Sequence, residues 1–139
     1  MEIKVFGKLV EFFEKKDKVN LAYLFGSTSR GDKGKLGDFD LGILLDESLG
    51  KYERFQFQLK LLYDLVSILK TDKVDLIIMN DAPLSLNYNI IKDGILLKDD
   101  EEKRINFEKN IISKYLDRKY YIDRHARIAI NRIARQGLI

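Results

Sequence analysis

The 139-residue sequence contains no cysteine, no tryptophan and a single proline. Without cysteine the chain can form neither disulfides nor metal sites with thiolate ligands. No apolar run approaches the roughly 20 residues that span a bilayer. Charged residues interrupt the N-terminal segment too often for a signal peptide. These absences exclude the membrane-spanning and disulfide-rich classes and make a cytoplasmic location the default expectation.

The residues that are present are those of a globular protein. Apolar residues make up 45% of the chain and charged residues 34%, so the sequence is not of the disordered class. A length of 139 residues suits one domain with a core of its own. We therefore expect a single domain over residues 1–139.

Charge is distributed unevenly along the chain, whose net charge is +3. From Arg118 onward six Lys and Arg residues oppose Asp123 alone, a surplus of five, which leaves the preceding part at −2. A basic segment of this kind favours phosphates or an acidic partner, although a solvated helix face has the same composition.

Short apolar runs predict the strands of a small sheet. The runs contain β-branched or aromatic residues and are bounded by charged residues, glycine or asparagine. They cover residues 19–25, 39–45 and 73–79, with a brief fourth strand at 95–97.

Apolar periodicity predicts helices between and around these strands. The first covers residues 3–16, and the last runs from 101 to about 122, beyond which the chain continues as a helix or frays. A long helix capped by Ser48 would bury a stripe formed by Phe55, Leu59, Leu62, Val66 and Leu69.

A shorter helix is expected between the third and fourth strands. Asp81 is its predicted N-cap, and Gly94 is expected to end it in the left-handed conformation. The elements together predict an α/β (α+β) fold in which helices flank a small mixed β-sheet.

The loop after the first strand combines residues that suit a bound phosphate. Gly26 permits close approach of the backbone, and Ser27 offers a hydroxyl to a phosphate oxygen. Arg30 can make forked hydrogen bonds to the same group. Each residue alone would be an ordinary turn or surface residue; their occurrence in one loop is what favours a phosphate site.

Two aspartates follow at the start of the second strand. Side chains alternate along a strand, so Asp38 and Asp40 would point to one face, where their charges repel. Mg²⁺ prefers such oxygen ligands together with substrate phosphates. Asp75 interrupts the third apolar strand, and a buried lone charge there would need a partner or a metal. The alternative for Asp75 is the solvated face of an edge strand.

This pattern resembles the nucleotidyltransferase superfamily of the DNA polymerase β type. That family carries Gly-Ser, ten intervening residues, an Asp-x-Asp pair and a third acidic residue on a later strand. Gly26-Ser27 and Asp38-Phe39-Asp40 match that spacing, and Arg30-Gly31 matches the Arg-Gly of small prokaryotic members. One departure is Gly37, where the family often has serine.

The resemblance implies a polymerase β-like fold over about residues 4–98, with a C-terminal helical extension over about 101–139. It implies that Asp38, Asp40 and Asp75 are catalytic and hold two Mg²⁺ ions. Gly26, Ser27 and Arg30 would bind the nucleotide, with ATP as substrate.

The short chain is most similar to minimal nucleotidyltransferases of the MNT or MntA type, which are antitoxins of HEPN-type ribonuclease toxins. This implies a Mg²⁺-dependent adenylyltransferase that transfers AMP to a tyrosine of such a toxin and releases pyrophosphate. Two alternatives stay open: an antitoxin that acts by binding alone, and a transferase acting on a small molecule or RNA. RNA contact is expected only through the toxin or the basic C-terminal segment. The acceptor, the nucleotide preference and the oligomeric state are left open.

Overall fold

The computed structural model describes residues 3–26 and 39–137, which contain four helices and four strands. No helix in this part of the chain is long and apolar enough to cross a membrane. In chain order the elements are α1 (Ile3–Glu14), β1 (Val19–Phe25), β2 (Phe39–Leu45), α2 (Lys51–Leu69), β3 (Val74–Ile78), α3 (Leu84–Asp93), β4 (Ile95–Lys98) and α4 (Glu101–Gln136).

The strands form one mixed sheet, as the sequence predicted. Their order is β3-β2-β1-β4, with β1 antiparallel to both β2 and β4, and β2 parallel to β3. A parallel pair needs a crossover connection, and α2 supplies the one between β2 and β3. The predicted limits of β1 and β2 are confirmed, and β3 is one residue shorter at each end than predicted.

Both faces of the sheet are covered by helices. On one face, α1 and α2 contribute Leu9, Phe13 and Leu65 to a core that includes the alternate β2 residues Leu41 and Ile43. On the other face lies a smaller cluster around Tyr23, Met79 and Ile90, to which α3 and α4 contribute. Burial on both faces explains why β1 is apolar at every position except Asn20.

The predicted buried stripe of α2 is wrong at its N-terminal end. The side chains of Phe55 and Leu59 are 56% and 52% exposed, whereas Leu61 and Leu65 are buried. The helix carries apolar residues on two adjacent faces, and periodicity alone cannot tell which of them meets the sheet. Ser48 is not the cap: the N-cap is Gly50, whose N–H donates to Glu53 Oε1 at 3.1 Å.

Two predictions for α3 also need correction. Its N-cap is Pro83, and Asp81 instead accepts hydrogen bonds from Arg54 Nε at 2.9 Å and Nη2 at 2.7 Å. The hydrogen bond from Arg54 holds the pKa of the Asp81 carboxyl below its usual value. Gly94 does end the helix, but at φ −76° it is not left-handed. Glycine is required there because a Cβ would overlap the carbonyl oxygen of Ile90.

Helix α4 continues without a break for 36 residues, so the chain beyond residue 122 continues as a helix, which is one of the two expected outcomes. Its first half packs on the sheet and on α3: Ile111 is buried, and the ring of Tyr115 stacks on Tyr88 with centroids 3.7 Å apart. Every residue from Leu116 to Gly137 is exposed. The expected division into a core and a helical extension stays a prediction.

Candidate functional site

Strand pairing places two of the predicted catalytic carboxylates side by side. In the parallel pair of β2 and β3, Asp40 lies directly opposite Asp75, with Phe39 opposite Val74 and Leu41 opposite Leu76. Residues that are opposite each other in a sheet direct their side chains to the same face. The fold therefore brings together Asp40 and Asp75, which are far apart in the sequence.

The surroundings of these two carboxylates differ from the sequence-based expectation. Asp40 is half-buried, but Asp75 is exposed, and β3 is an edge strand of the described sheet. Asp75 is therefore not a buried charge, and water solvates its carboxylate. What links Asp75 to the site is its register with Asp40.

Elsewhere on this edge, the Gln58 side chain donates to the carbonyl oxygen of Leu76 at 2.7 Å, which limits pairing by another strand.

Gly26 lies against the same carboxylate from the other side. The last residue of β1, Phe25, is paired with Asp40, and Gly26 follows it with φ +80°. A Cβ at Gly26 would overlap Asp40 Oδ2 and lie 3.1 Å from its Cγ. Any other residue would meet both a strained backbone conformation and this clash. Glycine is thus needed here for close approach to Asp40.

Ser27, Arg30 and Asp38 lie outside the described residues, as does Gly37. Among residues 3–26 and 39–137, no group of three His, Asp or Glu side chains could hold a metal ion. The predicted triad includes Asp38, so that group could not be found within this part of the chain. Asp40 and Asp75 are the two members whose relation is described, and a neighbouring pair of carboxylates fits the oxygen ligands that Mg²⁺ prefers.

A family model described as "Polymerase beta, Nucleotidyltransferase" matches residues 7–103, which include the four described strands and the predicted site. The chain belongs to this nucleotidyltransferase family. The resemblance and the polymerase β-like fold inferred from the sequence are thereby confirmed. The roles of the individual site residues stay predictions.

Solved structures of toxin–antitoxin complexes are similar to this nucleotidyltransferase. A chain of a toxin–antitoxin crystal structure determined with AMP-PNP is 27% identical, with a TM-score of 0.63; the match covers 93% of this chain and 97% of that one. A second similar chain comes from a structure of the tri-AMPylated Shewanella oneidensis HEPN toxin in complex with MNT antitoxin. That chain is 25% identical to this one, with the same TM-score and coverage. No curated protein matches the sequence significantly.

A hydrogen-bond network that sequence reasoning missed holds α4 to the sheet of this nucleotidyltransferase. The Tyr23 hydroxyl donates to Glu108 Oε2 at 2.7 Å, and Arg104 bridges Glu108 and Asp99 at 3.6 Å and 2.8 Å. Two effects raise the pKa of Tyr23: burial, which is the larger, and the hydrogen bond to Glu108. A tyrosine within a buried strand signals that its hydroxyl needs a partner, but the sequence cannot identify that partner.

The nucleotidyltransferase also has a cavity of about 480 Å³ beyond the C-terminal end of β2. Asp46, Asn80 and Lys103 are among the residues that line it, whereas Gly26, Asp40 and Asp75, the predicted site residues in the described part of the chain, do not. Asp40 lies near the start of β2, so this cavity is at the opposite end of the strand from the carboxylate pair. It is therefore separate from Asp40 and Asp75.

Proposed function

We propose that this nucleotidyltransferase transfers AMP from ATP to a hydroxyl acceptor, a tyrosine of a HEPN-type toxin, and thereby acts as an antitoxin. The observation that carries the proposal is the register of Asp40 with Asp75, with Gly26 pressed against Asp40. Family membership supports nucleotidyl transfer as the reaction class. The similar complexes, one with AMP-PNP and one with an AMPylated HEPN toxin, support the nucleotide and the acceptor.

Asp38, Asp40 and Asp75 are the residues that would hold Mg²⁺ in the proposed site. Neighbouring carboxylates repel each other, and a divalent cation offsets that repulsion. When bound, magnesium stabilises negative charge on the attacking and leaving oxygens of an in-line displacement.

The chain's own residues would position the substrates around these carboxylates. The missing side chain of Gly26 lets the backbone at the end of β1 lie close against Asp40. The following Ser27 and Arg30 would bind the triphosphate oxygens. Asp75 is exposed, so an incoming hydroxyl can reach its carboxylate. In the proposed reaction the acceptor oxygen bonds to the α-phosphorus, the bond from that phosphorus to pyrophosphate breaks, and the hydroxyl proton passes to Asp75.

Intact-mass measurement of a HEPN-type protein from the same genome tests this proposal. After incubation with the nucleotidyltransferase, ATP and Mg²⁺, we expect the protein to gain the mass of one or more AMP units, with fragmentation locating them on tyrosine. Stable complex formation with no gain in mass would instead favour an antitoxin that acts by binding alone. A gain in mass on RNA or a small molecule, with none on the protein, would contradict the proposed acceptor.

A further inference from the structure

The second half of α4, residues 116–136, is here called the tail helix. All of its residues are exposed, so nothing in the described part of the chain buries any of them. Most helices in proteins owe their stability to the packing of one apolar face rather than to helix propensity. A helix of this kind is best explained by a partner that covers it.

One face of the tail helix has the composition of a packing surface. The buried Ile111 and the stacked Tyr115 mark the side of α4 that faces α3 and the sheet. Seven residues after Tyr115, the same side continues with an apolar stripe at spacings of four, three and four, formed by Ile122, Ala126, Ala129 and Ile133. The packed face of α4 thus extends past the end of α3 with no partner from the described chain.

A recess marks the point where this stripe leaves the body of the protein. Its volume is about 370 Å³, and it lies between Ser85 in the first turn of α3 and Tyr115, Arg118 and Ile122 of α4. A helix placed in line with α3 would fill the recess and then cover the stripe. The two alanines, Ala126 and Ala129, allow a close approach of helix backbones.

The charges of the tail helix identify the kind of partner. Arg118, His125 and Arg132 recur every seven residues along one flank of the stripe. The segment has six Lys or Arg residues and two aspartates, a net charge of +4. A second copy of the chain would set two such segments against each other, which repel. RNA would satisfy the arginines but not the apolar stripe.

We propose that the tail helix is the docking surface for a partner protein that presents an apolar helix face flanked by carboxylates. This goes beyond the proposed transfer reaction, because docking requires neither ATP nor the aspartates of the site. Failure of transfer would therefore leave the docking proposal standing, and failure of docking would leave the transfer reaction standing.

A synthetic helix tests the docking surface directly. The probe is a fluorescent peptide of about four heptads, with leucine at the two core positions and glutamate at the flanking positions. The control peptide has the same sequence with lysine in place of glutamate. Fluorescence anisotropy with the full chain is expected to show binding of the acidic peptide at least about tenfold tighter than binding of the basic one.

Two matched substitutions separate the stripe from the rest of the helix. Ile133 on the stripe and Ile128 off it are 45% and 47% exposed, so Ile133→Asp and Ile128→Asp add the same charge at equally exposed sites. We expect Ile133→Asp to weaken peptide binding about tenfold or more and Ile128→Asp to change it little. Circular dichroism establishes that both variants keep their helix content.

Other results would overturn the inference. Equal loss of binding in both variants would show that the stripe is not the contact surface. A dimer in sedimentation velocity that Ile133→Asp dissociates would assign the stripe to a second copy of the chain. Binding of a labelled uridine oligonucleotide in preference to the acidic peptide would make the tail helix an RNA-binding element.

Discussion

Asp40 of β2 and Asp75 of β3 are direct neighbours across a parallel strand pair, although α2 separates them in the sequence. The crossover through α2 allows β2 and β3 to pair in parallel, and the register of that pair brings the carboxylates to one face of the sheet. Gly26 completes the arrangement, because only a residue without a side chain fits beside Asp40. The proposed catalytic site depends on these three positions among the described residues.

Removal of either carboxylate charge should abolish nucleotidyl transfer without unfolding the protein. Asp40→Asn and Asp75→Asn each eliminate a proposed metal ligand, and we expect transfer to fall by a factor of about a hundred or more. Asp72→Asn is the control, because it removes the same charge from an exposed position three residues before Asp75. Transfer of labelled AMP is measured, with circular dichroism to check the fold. Activity of Asp75→Asn equal to that of Asp72→Asn would remove Asp75 from the site.

A methyl group at Gly26 should disturb both the fold and the site. Gly26→Ala places a Cβ at φ +80° against Asp40, and we expect a loss of about 1–3 kcal/mol in the free energy of unfolding. Gly7→Ala is the matched control: Gly7 lies in α1, and a Cβ there meets no atom within 4 Å. That change should stabilise the protein by about 0.5–1 kcal/mol. Urea unfolding of the two variants measures whether each change lowers or raises the free energy of unfolding. Equal changes in the two variants would contradict the predicted clash at Gly26.

The buried Tyr23 hydroxyl should make stability depend on alkaline pH. Below the ordinary pKa of 10.0, Tyr23→Phe should cost about 1–2 kcal/mol through the lost hydrogen bond to Glu108. The pKa of Tyr23 is raised in the folded state, so the stability it contributes is complete below the unfolded pKa and is lost as pH rises above it. The difference between the wild type and Tyr23→Phe should therefore narrow above about pH 10.

Tyr63→Phe serves as the control for this measurement, because the Tyr63 side chain is 74% exposed. Its free energy of unfolding should follow that of the wild type across the same pH range. A constant difference between the wild type and Tyr23→Phe up to pH 11 would show that Tyr23 titrates normally.

Much of the fold could be predicted because two of its strands, β1 and β2, are apolar runs bounded by charged residues or glycine. Val19–Phe25 and Phe39–Leu45 have the predicted limits. The wrong predictions concern contacts between elements that are distant in the sequence, which local sequence patterns do not determine. Phe55 and Leu59 of α2 have helical spacing but lie away from the sheet, because Leu61 and Leu65 make that contact instead. Asp81 is of a residue type that often caps helices, yet its side chain pairs with Arg54 of α2, which is distant in the sequence.

The carboxylates of the proposed site could be predicted from the spacing of acidic residues along the predicted strands. The sequence predicted that Asp75 would join Asp40, and the strand register agrees with that. The predicted burial of a lone charge is wrong, because Asp75 is exposed on an edge strand of the described sheet. The network of Tyr23, Glu108 and Arg104 could not be predicted, since it joins β1 to a helix that begins more than 70 residues later.

Crystallographic location of a metal ion tests the central claim most directly. A crystal grown with Mn²⁺ and a non-hydrolysable ATP analogue allows the ion to be located by anomalous scattering. We predict an anomalous peak in contact with the carboxylates of Asp40 and Asp75 and with the triphosphate, and loss of that peak in Asp40→Asn. A bound triphosphate with no metal ion beside these two residues, or with Asp75 directed away from Asp40, would contradict the account.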